Sequence, residues 1–361
     1  MRLFLIFILC GASVSSAQPP VVASIDYYGL RKVSPERVAK TLGIEQGKPL
    51  PPSKGDLEER LEQVDGVVRS NIEAVCCSGD SVNVFVGIEE RGAPNFAVRS
   101  YPTGEKALPQ NILEIYAGLR GAIAQAARQG KASEDLRSGH ALSAHPEARK
   151  LQEKLIEAVE PELETIRVVL RDSSDDEQRA IAAYVIGYAK TKRLVAPDLQ
   201  YALQDPNEVV RANAMRSLLP ITLLALSEPD LDIPVSATWM VEMLHSVSFQ
   251  DRTKAVVSLL NLTDSRPEKL LELLKARGLD SLVEMARWHS LPHAIGPYML
   301  LCRTAGLPDE EIEQSWAKGE REQVIAKILK DFREAEKNKP IAPPPLPADY
   351  IYKRHPTPVY K

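Results

Sequence analysis

DSSDDEQRAIAAYVIGYA, residues 172–189, and DPNEVVRANAMRSL, residues 205–218, decide how the larger part of this chain reads. Each begins with a short acidic turn, reaches an arginine, and continues into an alanine-containing helix. Taking Arg179 and Arg211 as anchors, the pattern recurs at Arg252 and, with a change of residue, at His293. Three residues past each anchor stand Ala182, Ala214, Ala255 and Gly296, all small. Seven past stand Ile186, Leu218, Leu259 and Leu300, all large and aliphatic. The anchors lie 32, 41 and 41 residues apart. Recurrence at this interval predicts stacked helix pairs: the small residue lets a neighbouring helix approach, and the aliphatic two turns on fills the space between layers. The polar turns at 172–176, 205–207 and 248–251 fit the corner inside each pair.

The two best units are similar to HEAT repeats in their acidic turn, arginine and alanine-rich second helix. That resemblance implies an αα-solenoid, placed here at residues 146–306. The third unit has Asp251 and Arg252 adjacent, and the fourth carries His293 and Pro297, so it reads as a degenerate cap. A plain αα-hairpin bundle is the alternative. Before the solenoid, residues 108–145 read as a helix (Ile112, Ile115, Leu119 and Ile123 in helical spacing) and a small, polar loop. Pro161 interrupts the long helix that Pro146 opens. Residues 307–337 read as C-terminal helices, and 338–361, rich in proline, as a disordered extended tail.

Residues 21–91 follow another rhythm: strand, helix, helix, strand, strand. VVASIDYY alternates and stops at Gly29. Ser34–Pro35 opens a helix as cap and first residue, closed by Gly43, and Ser53 opens a second with Leu57, Leu61 and Val64 in register. Val68, Ser70, Ile72, Ala74 and Cys76 are expected on one face of the next strand. Val82, Val84, Val86 and Ile88 alternate along the last, whose other face is expected to be half polar. Tyr27-Tyr28-Gly29-Leu30, Val33-Ser34-Pro35-Glu36, Gly47-Lys48-Pro49-Leu50, Asp65-Gly66-Val67 and the closing Glu89-Glu90-Arg91 together resemble the polypeptide-transport-associated (POTRA) domain. The resemblance implies a small protein-binding module in a bacterial envelope; it departs from the family in that no run of barrel strands follows residue 91. Gly92, Pro94, Pro102 and Gly104 mark 92–107 as a linker. The expected fold class is therefore multidomain α+β and mostly α, a small β-α-α-β-β domain followed by the solenoid.

Met1-Arg2, the apolar run LFLIFIL and the small residues Ser15 and Ala17 read as a secretory signal peptide at residues 1–17, cut before Gln18. Leu9 ahead of Cys10 argues against a lipoprotein signal. Export to the periplasm is the expectation, with outer-membrane association as its extension, and no later stretch reads as a membrane span. The whole chain carries 45 basic and 49 acidic residues, net −4, without a basic cluster, which argues against a nucleic-acid partner. Cys76 and Cys77 on one strand should point to opposite faces, and there is no C-x-x-C.

Candidate chemistry is sparse. His289 and His293 are four apart, but Pro292 divides them, so they read as structural and no metal or cofactor is expected. No nucleophile elbow or phosphate loop occurs. Tyr28 and Phe85, on the sheet face away from the two helices, and Trp288, between Arg287 and His289, are the residues expected to meet a protein partner. The functional expectation is a non-catalytic periplasmic adaptor or scaffold. The alternatives are a HEAT-like lyase acting on a protein client, and a purely structural envelope protein.

Overall fold

A computed structural model describes residues 19–78 and 81–337 of the chain. The expected signal peptide, the Pro-rich tail and the side chains of Cys76 and Cys77 lie outside the described residues. Helix predominates, with one three-stranded sheet near the start and a two-residue ladder further on.

The sheet domain runs β1 (Val21–Tyr28), α1 (Pro35–Leu42), α2 (Lys54–Glu62), β2 (Val67–Ser78) and β3 (Ser81–Glu90). The strand order is β1-β3-β2, with β1 parallel and β2 antiparallel to the central β3. The helix boundaries follow from local chemistry. Ser34 accepts the Arg37 N–H, Ser53 accepts the Asp56 N–H, and Gly43 closes α1 at φ 66°. Val38, Leu42, Leu57 and Leu61 pack on Val22, Ile72, Val82, Val84, Val86 and Ile88 to form one core. On β2 a bulge between Val67 and Arg69 turns Val67 inward and leaves Val68 half exposed, so Val68 leaves the expected face, while Ser70, Ile72 and Ala74 share it opposite Ile88, Val86 and Val84. The other face of β3 is half polar, with Asn83 beside Phe85 and Gly87, but it is not open to solvent. Asn83, Phe85 and Gly87 are buried with the rest, because helices cover that face as well.

The helical part comprises α3 (Gln110–Arg128), α4 (Pro146–Val159), α5 (Leu163–Asp172), α6 (Asp176–Val185), α7 (Lys192–Ala202), α8 (Glu208–Ser227), α9 (Thr238–Glu242), α10 (Phe249–Leu262), α11 (Glu268–Leu273), α12 (Leu279–Ala286) and α13 (Leu291–Thr304). Pro161 sits in a short 3-10 turn that divides α4 from α5. Helices α6, α8, α10 and α13, which carry the four anchors, pack each on the next. On the other side α5 packs on α7, and α9 on the π-turn between α11 and α12. Ala182, Ala214, Ala255, Ile186, Leu218, Leu259 and Leu300 are fully buried in the stack. At Gly296 a Cβ would lie 2.9 Å from the Val256 side chain, which explains the smallest residue in that column.

Three anchors share one hydrogen-bonding role. Each arginine donates to the carbonyl six residues before it: Arg179 to Ser173 (2.8 Å), Arg211 to Asp205 (2.7 Å) and Arg252 to Ser246 (2.6 Å). Each also binds a carboxylate brought by the following unit. Arg179 holds Asp205 in two bonds (2.9 and 3.0 Å), Arg211 holds Asp251 (2.9 Å) and Arg252 reaches Glu284 (3.1 Å). Arg179 and Asp205 are both fully buried, so the charges and remaining donors satisfy one another inside the stack. His293 does not extend the series: its Nδ1 meets Ser290 Oγ at 2.8 Å.

The described residues through Asp309 form one compact unit, and 310–337 belong to a second, made of most of α14 (Asp309–Ala317) and of α15 (Arg321–Lys337). Residues 92–107 are laid against the helices. Phe96 is buried, the Arg99 N–H donates to Gln204 O (2.7 Å), and Gly104 exchanges backbone bonds with Asp172 and Ser174 (2.7 and 2.6 Å). Among the described residues one helix, α8, is long and apolar enough by composition to cross a bilayer. It is built into the stack through Val210, Ala214, Leu218 and Ile221, all fully buried.

Candidate functional site

The sheet meets the helical stack through its aromatic face. Phe85 stacks against Phe249 (centroids 4.2 Å apart), with Trp288 at 4.8 Å and His293 at 5.3 Å, both edge-on. Tyr28 lies 5.7 Å from Trp288, and the Arg252 guanidinium sits 4.5 Å over its ring. The Tyr28 hydroxyl donates to Val247 O at 2.8 Å, and burial pushes its pKa far above the usual phenol value. The two parts touch so closely at Gly87 that a Cβ there would stand 2.2 Å from Val247 O and 2.6 Å from the Tyr28 ring.

This placement corrects the expectation for the three partner-binding residues. Tyr28, Phe85 and Trp288 do come together, but Tyr28 and Phe85 are fully buried and Trp288 retains 2% of its exposure. The surface they complete is internal, and what they grip is the chain's own helical stack. About 150–250 Å² of largely apolar surface per aromatic leaves water only if another surface covers it, and α10, α12 and α13 are that surface.

Polar groups frame the seam. Glu284 of α12 accepts from the Gly29 N–H (2.9 Å), Arg31 (3.2 Å) and Arg252 (3.1 Å), tying the end of β1 to the last rung of the arginine series. Asp26, 4% exposed, accepts from the His289 backbone N–H (2.9 Å) and contacts the His289 ring Nδ1 at 2.7 Å. On its far side the His289 ring stands in solvent. Beside this pair opens a cleft of about 670 Å³ lined by Ala23, Ser24, Ile25, Gln46, Asn83 and the residues 289–293. Ser24 Oγ donates to Asn83 Oδ1 at 2.8 Å. Burial pushes the His293 imidazole below its ordinary pKa, with the Asp26 charge acting against it.

Such an arrangement can hydrogen-bond a ligand. Ser290 Oγ is engaged with His293, whereas the carboxylate-oriented imidazole is the separate His289. His289 and His293 both border the cleft, but among the described residues no three His, Cys, Asp or Glu side chains converge as a metal set. Sequence reasoning missed Asp26, Asn83, Phe249 and Glu284. The signal for the first two was available: an Asp and an Asn interrupt otherwise apolar strands.

No protein-family model and no curated protein matches this chain.

Proposed function

We propose that this chain is a non-catalytic protein-binding adaptor of the bacterial envelope, exported to the periplasm, in which a POTRA-like sheet domain is fixed on a HEAT-like solenoid. The observation that carries the reading is the repeated arginine rung. One hydrogen-bonding pattern at Arg179, Arg211 and Arg252 supports a stack of equivalent helix pairs, and such stacks present extended surfaces suited to polypeptide partners. The β-α-α-β-β order and the β1-β3-β2 sheet support the other half.

The test is in vivo crosslinking of the full chain followed by mass spectrometry, with intact-mass measurement of the secreted form. Deleting residues 21–91 would strip Phe249 and Trp288 of their cover, so surface variants serve better as controls. The expected result is a mature chain beginning at Gln18 and reproducible, saturable capture of particular envelope proteins. Retention of Met1 would refute export. Absence of saturable capture would favour the structural alternative, and turnover of a client by the purified chain would favour the lyase.

A further inference from the structure

Asp26 is a buried carboxylate without a fixed counter-charge. It retains 4% of its exposure, and its contacts are the His289 backbone N–H (2.9 Å) and the His289 ring Nδ1 (2.7 Å). No Lys or Arg among the described residues pairs with it. The buried acids within the stack are treated otherwise: Asp198, Asp205 and Asp251 each face an arginine. Burying a negative charge is costly unless a cation stands within reach, so the Asp26–His289 pair calls for positive charge on the imidazole side.

The imidazole is placed to receive it. A carboxylate only accepts, so Asp26 fixes the proton of neutral His289 on Nδ1 and leaves the Nε2 lone pair free, on a side chain that is 74% exposed. Four residues on, His293 borders the same cleft of about 670 Å³. Its Nδ1 lies 2.8 Å from Ser290 Oγ, and its ring is held edge-on to Phe85 and Phe249. The serine hydroxyl turns to accept from Nδ1, which frees Nε2 here as well. Neither Nε2 has a protein partner among the described residues. Pro292, which in the sequence divides the two histidines, is the second residue of α13. It opens the helix and leaves His289 and His293 on either side of one helix start.

We propose that His289 and His293 hold one Cu(II) ion in this cleft through their Nε2 atoms, with Asp26 behind His289 as the orienting carboxylate. Asp26 does not touch the ion. It holds the imidazole in the binding tautomer and supplies the charge that a dication offsets. Two imidazoles with oxygen donors in the remaining positions form the tetragonal N,O set that favours Cu(II), the divalent first-row ion such ligands hold most tightly. Water completes the set, because two protein ligands leave positions open to the cleft. The carboxylate comes from β1 and His289 and His293 from the start of α13, so the ion fastens the sheet domain to the stack at their seam. That role is separate from the capture of a partner polypeptide.

The test uses the full mature chain and Cu(II) sulfate, followed by pulsed EPR and by competition with a chelator of known affinity. One ion per chain is expected, with echo modulation from the remote nitrogens of two imidazoles and paramagnetic broadening of the Ala23–Ile25 and Leu291 amide resonances. His289→Ala and His293→Ala should each remove one imidazole from the spectrum and weaken binding roughly tenfold or more. Asp26→Asn keeps an acceptor for the His289 N–H groups; it should weaken binding about 10–100-fold while the two-imidazole spectrum persists. His355→Ala, in the tail, should change nothing. A spectrum with one imidazole or none, a two-imidazole signal that survives both His289→Ala and His293→Ala, or its loss on His355→Ala would overturn the proposal. So would absence of Cu(II) uptake; an elevated His289 pKa would then show that a proton alone meets the Asp26 charge. Should an alanine variant fail to fold, the wild-type spectrum and the Asp26→Asn titration still decide.

Discussion

Replacing Asp205 by Ala removes the carboxylate on which the first rung of the arginine series depends. Asp205 is fully buried; it takes two bonds from Arg179, one from Arg99 at 2.7 Å and one from the Asn207 N–H at 2.9 Å. Without it the Arg179 guanidinium, itself fully buried, keeps only the Ser173 and Ser174 carbonyls. Leaving one partner of a buried ion pair uncompensated costs roughly 3–5 kcal/mol. For a unit of this size that lowers Tm by roughly 5–8 °C. Arg179→Met is predicted to cost about half as much, because Arg99 still faces Asp205 and the methionine leaves no charge behind. The assay is urea and thermal unfolding of the wild type and both variants by circular dichroism, checked for two-state behaviour. The decisive quantity is the order of the two losses. If Arg179→Met destabilises more than Asp205→Ala, or if Asp205→Ala costs under about 1 kcal/mol, the pair is not acting as a buried, mutually neutralising rung.

Phe85→Ala empties the space between Phe249, Trp288 and His293, with an expected loss of about 3–5 kcal/mol and faster hydrogen exchange in β3 and at the start of α10. Gly87→Ala forces a methyl group into Val247 O and Tyr28, so it should loosen the seam; a variant as stable as the wild type would refute the close approach. Lys192, donating to Gly187 O at 2.7 Å and within 2.8 Å of His140 Nδ1, is pushed down by burial to about 7 from its ordinary 10.5. Between these values the unfolded chain binds the proton more readily than the folded one, so this group makes stability rise with pH from about 7 upward and exacts its full cost below. Lys192→Met should flatten that slope in denaturation measured from pH 7 to 9.5, and an unchanged slope would show that Lys192 is not its source.

Local chemistry was legible in the sequence wherever it acts over a few residues. Ser34, Gly43 and Ser53 stand at helix ends because capping needs only the neighbouring backbone, and Pro161 divides α4 from α5 and Pro292 opens α13 for equally local reasons. The anchor columns were legible because repetition encodes a contact many times over. The covered sheet face was not. Val82, Val84, Val86 and Ile88 say that one face is buried, but Asn83, Phe85 and Gly87 between them suit an open face as well as a closed one. Only the folded chain shows Phe85 under Phe249, contacts over more than 160 positions that no local pattern announces. For the same reason residues 92–107 read as a free linker. Gly and Pro mark irregular backbone, and nothing in their composition distinguishes a tether from a strap bound at Arg99 and Gly104.

The one irregularity in the repeat has a physical counterpart. Each arginine rung takes its carboxylate from the unit that follows, Arg179 from Asp205, Arg211 from Asp251 and Arg252 from Glu284. At the fourth position no rung follows, and the acid that closes the series, Glu284, also takes the Gly29 N–H and Arg31 of the sheet domain. An arginine in place of His293 would bring a third guanidinium toward a region that already holds Arg252 and Arg31, and would need desolvating against Phe85 and Phe249. A smaller imidazole fits beside those rings and reaches Ser290. The break in the periodicity at His293 therefore falls where the stack stops binding its own next layer and binds the sheet instead, and the cleft beside β1 opens at that same junction.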